Sequence, residues 1–193
     1  MAFPLVYGVQ DYIRRGHKNY VSLLGIVNIL LTGSLALLKL QGIWFAVKEM
    51  SLPLVLGLLV LFSRWSDSPA AKMIFCNPHV LNMELIEQKL GEFSRQRDFH
   101  GLLQRTTLWL SFSFLISAVL NFYIAYVIFV DIDPGLESIA REQILNEQIA
   151  RMTWMGFLVI AAPLMMFSGV LVWLFLKRVS ELCETPVNSL LKS

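Results

Sequence analysis

Apolar positions gather in runs long enough to cross a bilayer, which takes about 20 predominantly apolar residues in helical conformation. The runs cover 20–38, 43–62, 107–130 and 154–176. The first contains Asn28 near its middle and the small residues Gly25, Gly33 and Ser34, which permit close helix approach. Only a short turn through Gly42 separates the first run from the second, so those two helices are expected to lie side by side and antiparallel. Ahead of them, Phe3, Leu5, Val6, Tyr7, Val9, Tyr12 and Ile13 form an apolar stretch too short to span. Two readings of it stay open: an interfacial amphipathic segment, or the last turns of a helix that begins upstream.

The polar segments predict elements of their own. In the long stretch 63–106, Ser68-Pro69 and Asn77-Pro78 each place a capping side chain before a proline at the first helical position. After the second, Leu81, Leu85, Ile86, Leu90 and Phe93 share one helical face, with Glu84, Glu87, Lys89 and Glu92 elsewhere. That pattern predicts an amphipathic helix against the membrane surface or capping the bundle. Asp131 and Asp133-Pro134-Gly135 end the third run in a turn, and helical periodicity resumes from Leu136 into the fourth. Pro53 and Pro163 are expected to kink their helices, tolerated because neighbours satisfy the freed backbone groups. The expected fold is an all-α membrane protein: a bundle of four transmembrane helices, an N-terminal hydrophobic remnant and a cytoplasmic amphipathic helix, all in one integral membrane domain over 1–193.

Composition agrees. Of the 193 residues 56% are hydrophobic and 16% charged, against about 25% charged in soluble domains, and the mean hydropathy is +0.61. The net charge of +2 comes with no basic stripe or nucleic-acid module, so nucleic acid is not an expected partner. Arg14, Arg15 and Lys18 fall on the same side as Arg64, Lys72, Lys89, Arg95, Arg97 and Arg105, and as Lys177, Arg178 and Lys192. The opposite side holds Lys39, Arg141 and Arg151 beside an acidic loop. The positive-inside rule then puts both termini and the long loop in the cytoplasm. Trp44, Tyr123, Tyr126 and Trp154 would form the outer aromatic belt, and Tyr20, Trp65, Trp109 and Trp173 the inner one. The N-terminus carries its charges after its apolar stretch, the reverse of a secretory signal. Expected partners are the lipid bilayer and other membrane proteins, or a second copy of the chain.

Candidate chemistry centres on Lys48 and Glu49. An ionised side chain within a span is costly and is a functional candidate by default. Lys48 lies about five residues, or roughly 7 Å, inside its helix. One reading is a lysine that reaches outward to the headgroups. The other is an intramembrane polar pocket, in which each charge needs a partner from a neighbouring helix because adjacent residues point apart. Asn121 lies at comparable depth, and Glu147, Arg151 and Thr153 approach from the outer end of the fourth run. Asn28 and Asn121 also read as interhelical hydrogen-bond glue. Asp131 and Asp133 read as capping and turn residues rather than a cation site. His17, His79 and His100 lack metal spacing, Cys76 and Cys183 stand in no paired motif, and no nucleophile elbow or phosphate loop occurs. No catalytic residue, metal or cofactor is expected.

Several pieces resemble small bacterial inner-membrane proteins similar to intracellular septation protein A, in particular its uncharacterised subgroup. They are AFPLVYG at 2–8, Arg14-Arg15, SLLG at 22–25, LLTG at 30–33, Trp44 with Lys48-Glu49 and Pro53-Leu54. SFSFLISAVLN at 111–121, Asn146-Glu147, Met152-Thr153 and Pro163 complete them. The resemblance covers most of the chain and implies an integral cytoplasmic-membrane protein associated with envelope maintenance and, in the septation branch, with division. It implies no catalytic residues. In the septation protein itself the lysine and proline are spaced differently and Glu49 has no clear counterpart. Family members carry a further hydrophobic helix upstream, so residues 2–10 are expected to be its stump. Two functional expectations follow: a non-enzymatic envelope or division protein acting through protein or lipid contacts, or a small oligomeric transporter or channel with Lys48 in its path.

Overall fold

The structure, a computed structural model, describes residues 42–66 and 68–192. The first apolar run and the N-terminal stretch lie outside these residues. The described residues form α1 (Ile43–Ser63), α2 (Ala70–Phe75), α3 (Met83–Glu92), α4 (Gln96–Ile128) and α5 (Ser138–Gly156). A π turn, Phe157–Ala161, leads on to α6 (Ala162–Cys183) and α7 (Val187–Leu190). Extended pairing among them is limited to one isolated antiparallel bridge, Leu81 with Leu191. Among the described residues three stretches are long and apolar enough to cross a membrane: α1, α4, and the helix that runs on through Ser138–Cys183. The chain divides into two compact units. One holds the described residues up to Leu52 together with Leu120–Trp154, and the other holds Pro53–Val119 and the residues from Met155 onward.

In the first unit the start of α1 meets the end of α4. Gly42 adopts φ 57°, and its backbone carbonyl accepts from the Phe45 amide at 3.1 Å. The Phe45 ring stacks on Phe129 with centroids 4.6 Å apart. α4 turns Ile124, Ala125 and Ile128 inward at helical spacing, and Phe129 just beyond it is buried too. The loop that follows is a turn: the Gly135 amide donates to the Asp133 carboxylate at 2.9 Å. Gln148 and Met152, one turn apart on α5, are buried on its inner face.

The second unit contains a hydrophobic core built from α2, α3, α4, α6 and α7. Ala71, Cys76, Leu81, Ile86, Leu90, Leu103, Phe175, Val179, Cys183 and Leu190 form it. Two helix starts differ from the sequence expectation. Ser68 does not cap α2; its first amides are taken by hydroxyls from elsewhere, Ser63 Oγ for Ala70 (3.0 Å) and Thr107 Oγ1 for Ala71 (3.1 Å). Asn77 closes a turn instead of a helix, accepting from the His79 amide, and the cap of α3 is Asn82, whose side chain accepts from the Leu85 amide at 3.2 Å. The inward face of α3, Ile86 and Leu90, is one the sequence pattern identifies. α4 begins at Gln96, well before the third apolar run. Polarity marks where apolar surroundings begin, and a helix whose first turns pack Phe99, Leu102 and Leu103 against a protein core shows no such mark.

Helices α3 and α6 end alike. Ser94 (φ 54°) and Glu184 (φ 49°) take the left-handed conformation that closes a helix. The Arg95 amide reaches back to the Leu90 carbonyl and the Thr185 amide to the Ser180 carbonyl, satisfying groups the helix ends would leave open. Arg95 also joins the two ends. Its guanidinium donates to the Glu181 and Leu182 carbonyls at 3.1 Å and pairs with the Glu184 carboxylate at 2.8 Å. Beyond α6 the tail folds back: the Asn82 amide donates to the Leu190 carbonyl (2.8 Å) and the Lys192 amide to the Val80 carbonyl (2.9 Å). Leu190, fully buried, locks the tail into the core.

Candidate functional site

Lys48 and Glu49 lie on α1 in the first unit, both half-buried, with Nζ 2.7 Å from Oε1. The sequence argument that each needs a partner on another helix is therefore corrected. Cα–Cβ vectors of adjacent residues do diverge on a helix, but the long lysine and glutamate chains bend back and close the pair. A neutralised pair is far easier to hold on an apolar helix than two separate charges. One turn on, Ser51 Oγ donates to the Lys48 carbonyl at 2.7 Å, in the turn before Pro53. Pro53 has no amide to offer the Glu49 carbonyl, yet α1 continues through it to Ser63.

The remaining candidate residues divide. Asn121 is half-buried on α4 and engaged in an interaction of its own. Glu147 and Arg151 are exposed on α5, as is Thr153, whose hydroxyl donates to the Ile149 carbonyl. The inward polar residue of that helix is its neighbour Gln148, with Nε2 3.4 Å from the Val130 carbonyl. The i, i+4 spacing of Gln148 with Met152 was the available signal, obscured because charged Glu147 and Arg151 draw attention first. Asp131, exposed, brings its carboxylate against the backbone of Gly42 at the start of α1, where a helix N-terminus favours negative charge. Pro163 sits just past the π turn, in which the Ala162 amide reaches the Phe157 carbonyl. Wide turns of this kind recur where a ladder is interrupted and often at functional sites.

In the second unit the buried hydroxyls of Thr107, Ser111 and Ser113 hold backbone. Ser111 Oγ, fully buried, donates to the Gly57 carbonyl of α1 at 2.8 Å, and Ser113 Oγ to the Leu110 carbonyl at 2.7 Å. Thr107 takes the Ala71 amide as described above. The row Thr107, Ser111 and Ala118 forms a small-residue face on α4, the kind that allows close helix packing in a membrane. The exposed tryptophan Trp65 lies just past α1, Trp109 near the start of the apolar run of α4, and Trp173 within α6 one turn before Lys177. Among the described residues no group of three or more His, Cys, Asp or Glu side chains is placed to hold a metal ion. Comparison of the chain with protein-family models, curated proteins and solved structures finds no match.

Proposed function

We propose that this chain is a non-enzymatic integral protein of a bacterial cytoplasmic membrane, of the septation-protein-A-like type. It serves envelope maintenance or division through contacts with lipids or other membrane proteins. The first apolar run joins the three long apolar helices in a four-helix bundle, and α3 lies on the cytoplasmic side with both termini. One observation carries this reading over a conduit. The intramembrane charges are closed on each other, Lys48 on Glu49, and buried Ser111 is taken up by the Gly57 backbone. The Ser111 bond joins α4 to α1, and a charge pair closed within α1 offers no free charge to a path. Membership of the septation-like group rests on the sequence resemblance alone.

A second reading, a small oligomeric transporter, draws on the half-buried position of the same pair beside an apolar bundle. There Lys48 and Glu49 would open toward Asn121, Glu147, Arg151 and Thr153. Purified protein in proteoliposomes, loaded in turn with a monovalent cation, an anion and an amphiphilic dye, separates the two. The scaffold reading expects no flux above empty vesicles. Flux lost on Lys48→Met, in a variant that still folds and inserts, would replace it with the transporter reading.

A further inference from the structure

Three places in the second unit, the end of α1 and the borders of the apolar runs within α4 and α6, repeat one arrangement: an exposed tryptophan with a basic residue within a turn of it. Arg64 precedes Trp65, Arg105 lies one turn before Trp109, and Lys177 holds Nζ 5.5 Å from the centre of the Trp173 ring. Helix α2 is fastened at the same three places. Its first amides are bound by Ser63 of α1 and Thr107 of α4, and Phe75 packs on Phe175 of α6 with centroids 5.4 Å apart. Ala71 is buried beneath it. Met73 and Ile74 point outward instead, 77% and 52% exposed, directly beside Lys72. Among the described residues Arg64, Lys72 and Arg105 enter no ion pair. Basic side chains level with a tryptophan belt, around exposed large apolar side chains, match the boundary between acyl chains and phosphates.

We propose that α2 is an interfacial element of the bilayer that α1, α4 and α6 cross. Met73 and Ile74 enter the acyl boundary, and Arg64, Lys72, Arg105 and Lys177 hold the phosphates of anionic phospholipids. The occupant follows from charge and from continuity: the patch adjoins the ends of the spanning helices, and its net charge is positive. This inference rests on the membrane-spanning reading, and the test separates the two.

The full chain is reconstituted in nanodiscs of phosphatidylcholine, with or without phosphatidylglycerol. Nitroxide labels are placed at Met73→Cys, Ile74→Cys and, as reference on α4, Phe112→Cys; Cys76 and Cys183 are buried and stay unlabelled. Relaxation by oxygen against a water-soluble nickel chelate reports the depth of each label. The expected result is Phe112 deep and both α2 labels at the phosphate-to-acyl level. Labels on α2 in open water with Phe112 still in lipid overturn the inference and leave the spanning reading intact. A Phe112 label in water overturns both. In mixed discs, native mass spectrometry of the extracted protein should show retained phosphatidylglycerol over phosphatidylcholine. Lys72→Gln and Arg105→Gln should each lower that preference about fivefold. An unchanged preference in the double variant overturns the phosphate contacts.

Discussion

Gly42 shows how one position couples two helices of the first unit. At φ 57° a side chain is strained, and an added Cβ would stand 2.5 Å from Asp131 Oδ1. Gly42→Ala is expected to destabilise by about 2 kcal/mol, mostly from the left-handed backbone. Adding Asp131→Gly should recover the steric part alone; denaturation in mixed micelles reads both. The Lys48–Glu49 pair predicts a different pattern. Removing either charge strands the other within an apolar helix, a loss of about 3 kcal/mol. Lys48→Met with Glu49→Gln strands neither, so the double variant should be more stable than either single one. A double variant as unstable as the two singles summed would contradict the mutual pair. Cys76 lies outside the apolar helices, and burial raises its thiol from 9.0 to about 11, Lys72 drawing it back slightly. The unfolded thiol ionises first as pH rises, so this contribution is complete below pH 9.0 and is lost between there and about 11. Unfolding followed across that window should show the loss, and Cys76→Ala should remove its slope.

At the scale of elements, the contact of α1 with α4 in the second unit depends on the absence of a side chain. A Cβ on Gly57 would meet Leu115 Cδ2 at 2.9 Å and Phe114 Cβ at 3.2 Å. Gly57→Ala is expected to cost about 1–3 kcal/mol through overpacking, and Ser111→Ala about 1 kcal/mol through the lost hydrogen bond. The two touch, so their effects should not add; a double-mutant cycle measures the coupling. The apolar runs of α1 and α4 were legible because hydropathy reports the surroundings of each helix directly. The inward face of α3 was legible because Ile86 and Leu90 keep helical spacing. The start of α4 at Gln96 and the caps at Ser63 and Thr107 were not, since each depends on a neighbour brought close only by folding; the cap at Asn82 is local, but Asn77-Pro78 carries the stronger helix-start signature. The closure of Lys48 on Glu49 was missed for another reason: a rule about Cβ directions was applied to side chains long enough to escape it.

For the whole molecule, the second unit ties the stretch after α1 to the chain's final turns. Leu81 pairs with Leu191, Leu190 enters the core and Arg95 grips the end of α6. Whatever side of a membrane holds the 78–95 stretch must then hold the tail as well. The turn at Asp133 is separated from both by a long apolar helix in either direction along the chain. In the orientation proposed above, the first side is the cytoplasm. The candidate site was less legible than the fold, since a polar side chain in a span reads identically in sequence whether it lines a pocket, pairs with a neighbour or holds backbone.

The most direct test of this account is sided labelling of sealed vesicles of known orientation with a membrane-impermeant maleimide. Cysteines introduced at Glu87, Leu136 and Lys192 occupy exposed positions. The account predicts that Glu87→Cys and Lys192→Cys react from the cytoplasmic face together, and that Leu136→Cys reacts from the other face alone. Reaction of all three from one face would contradict the crossing of the membrane by α4 and by the Ser138–Cys183 helix.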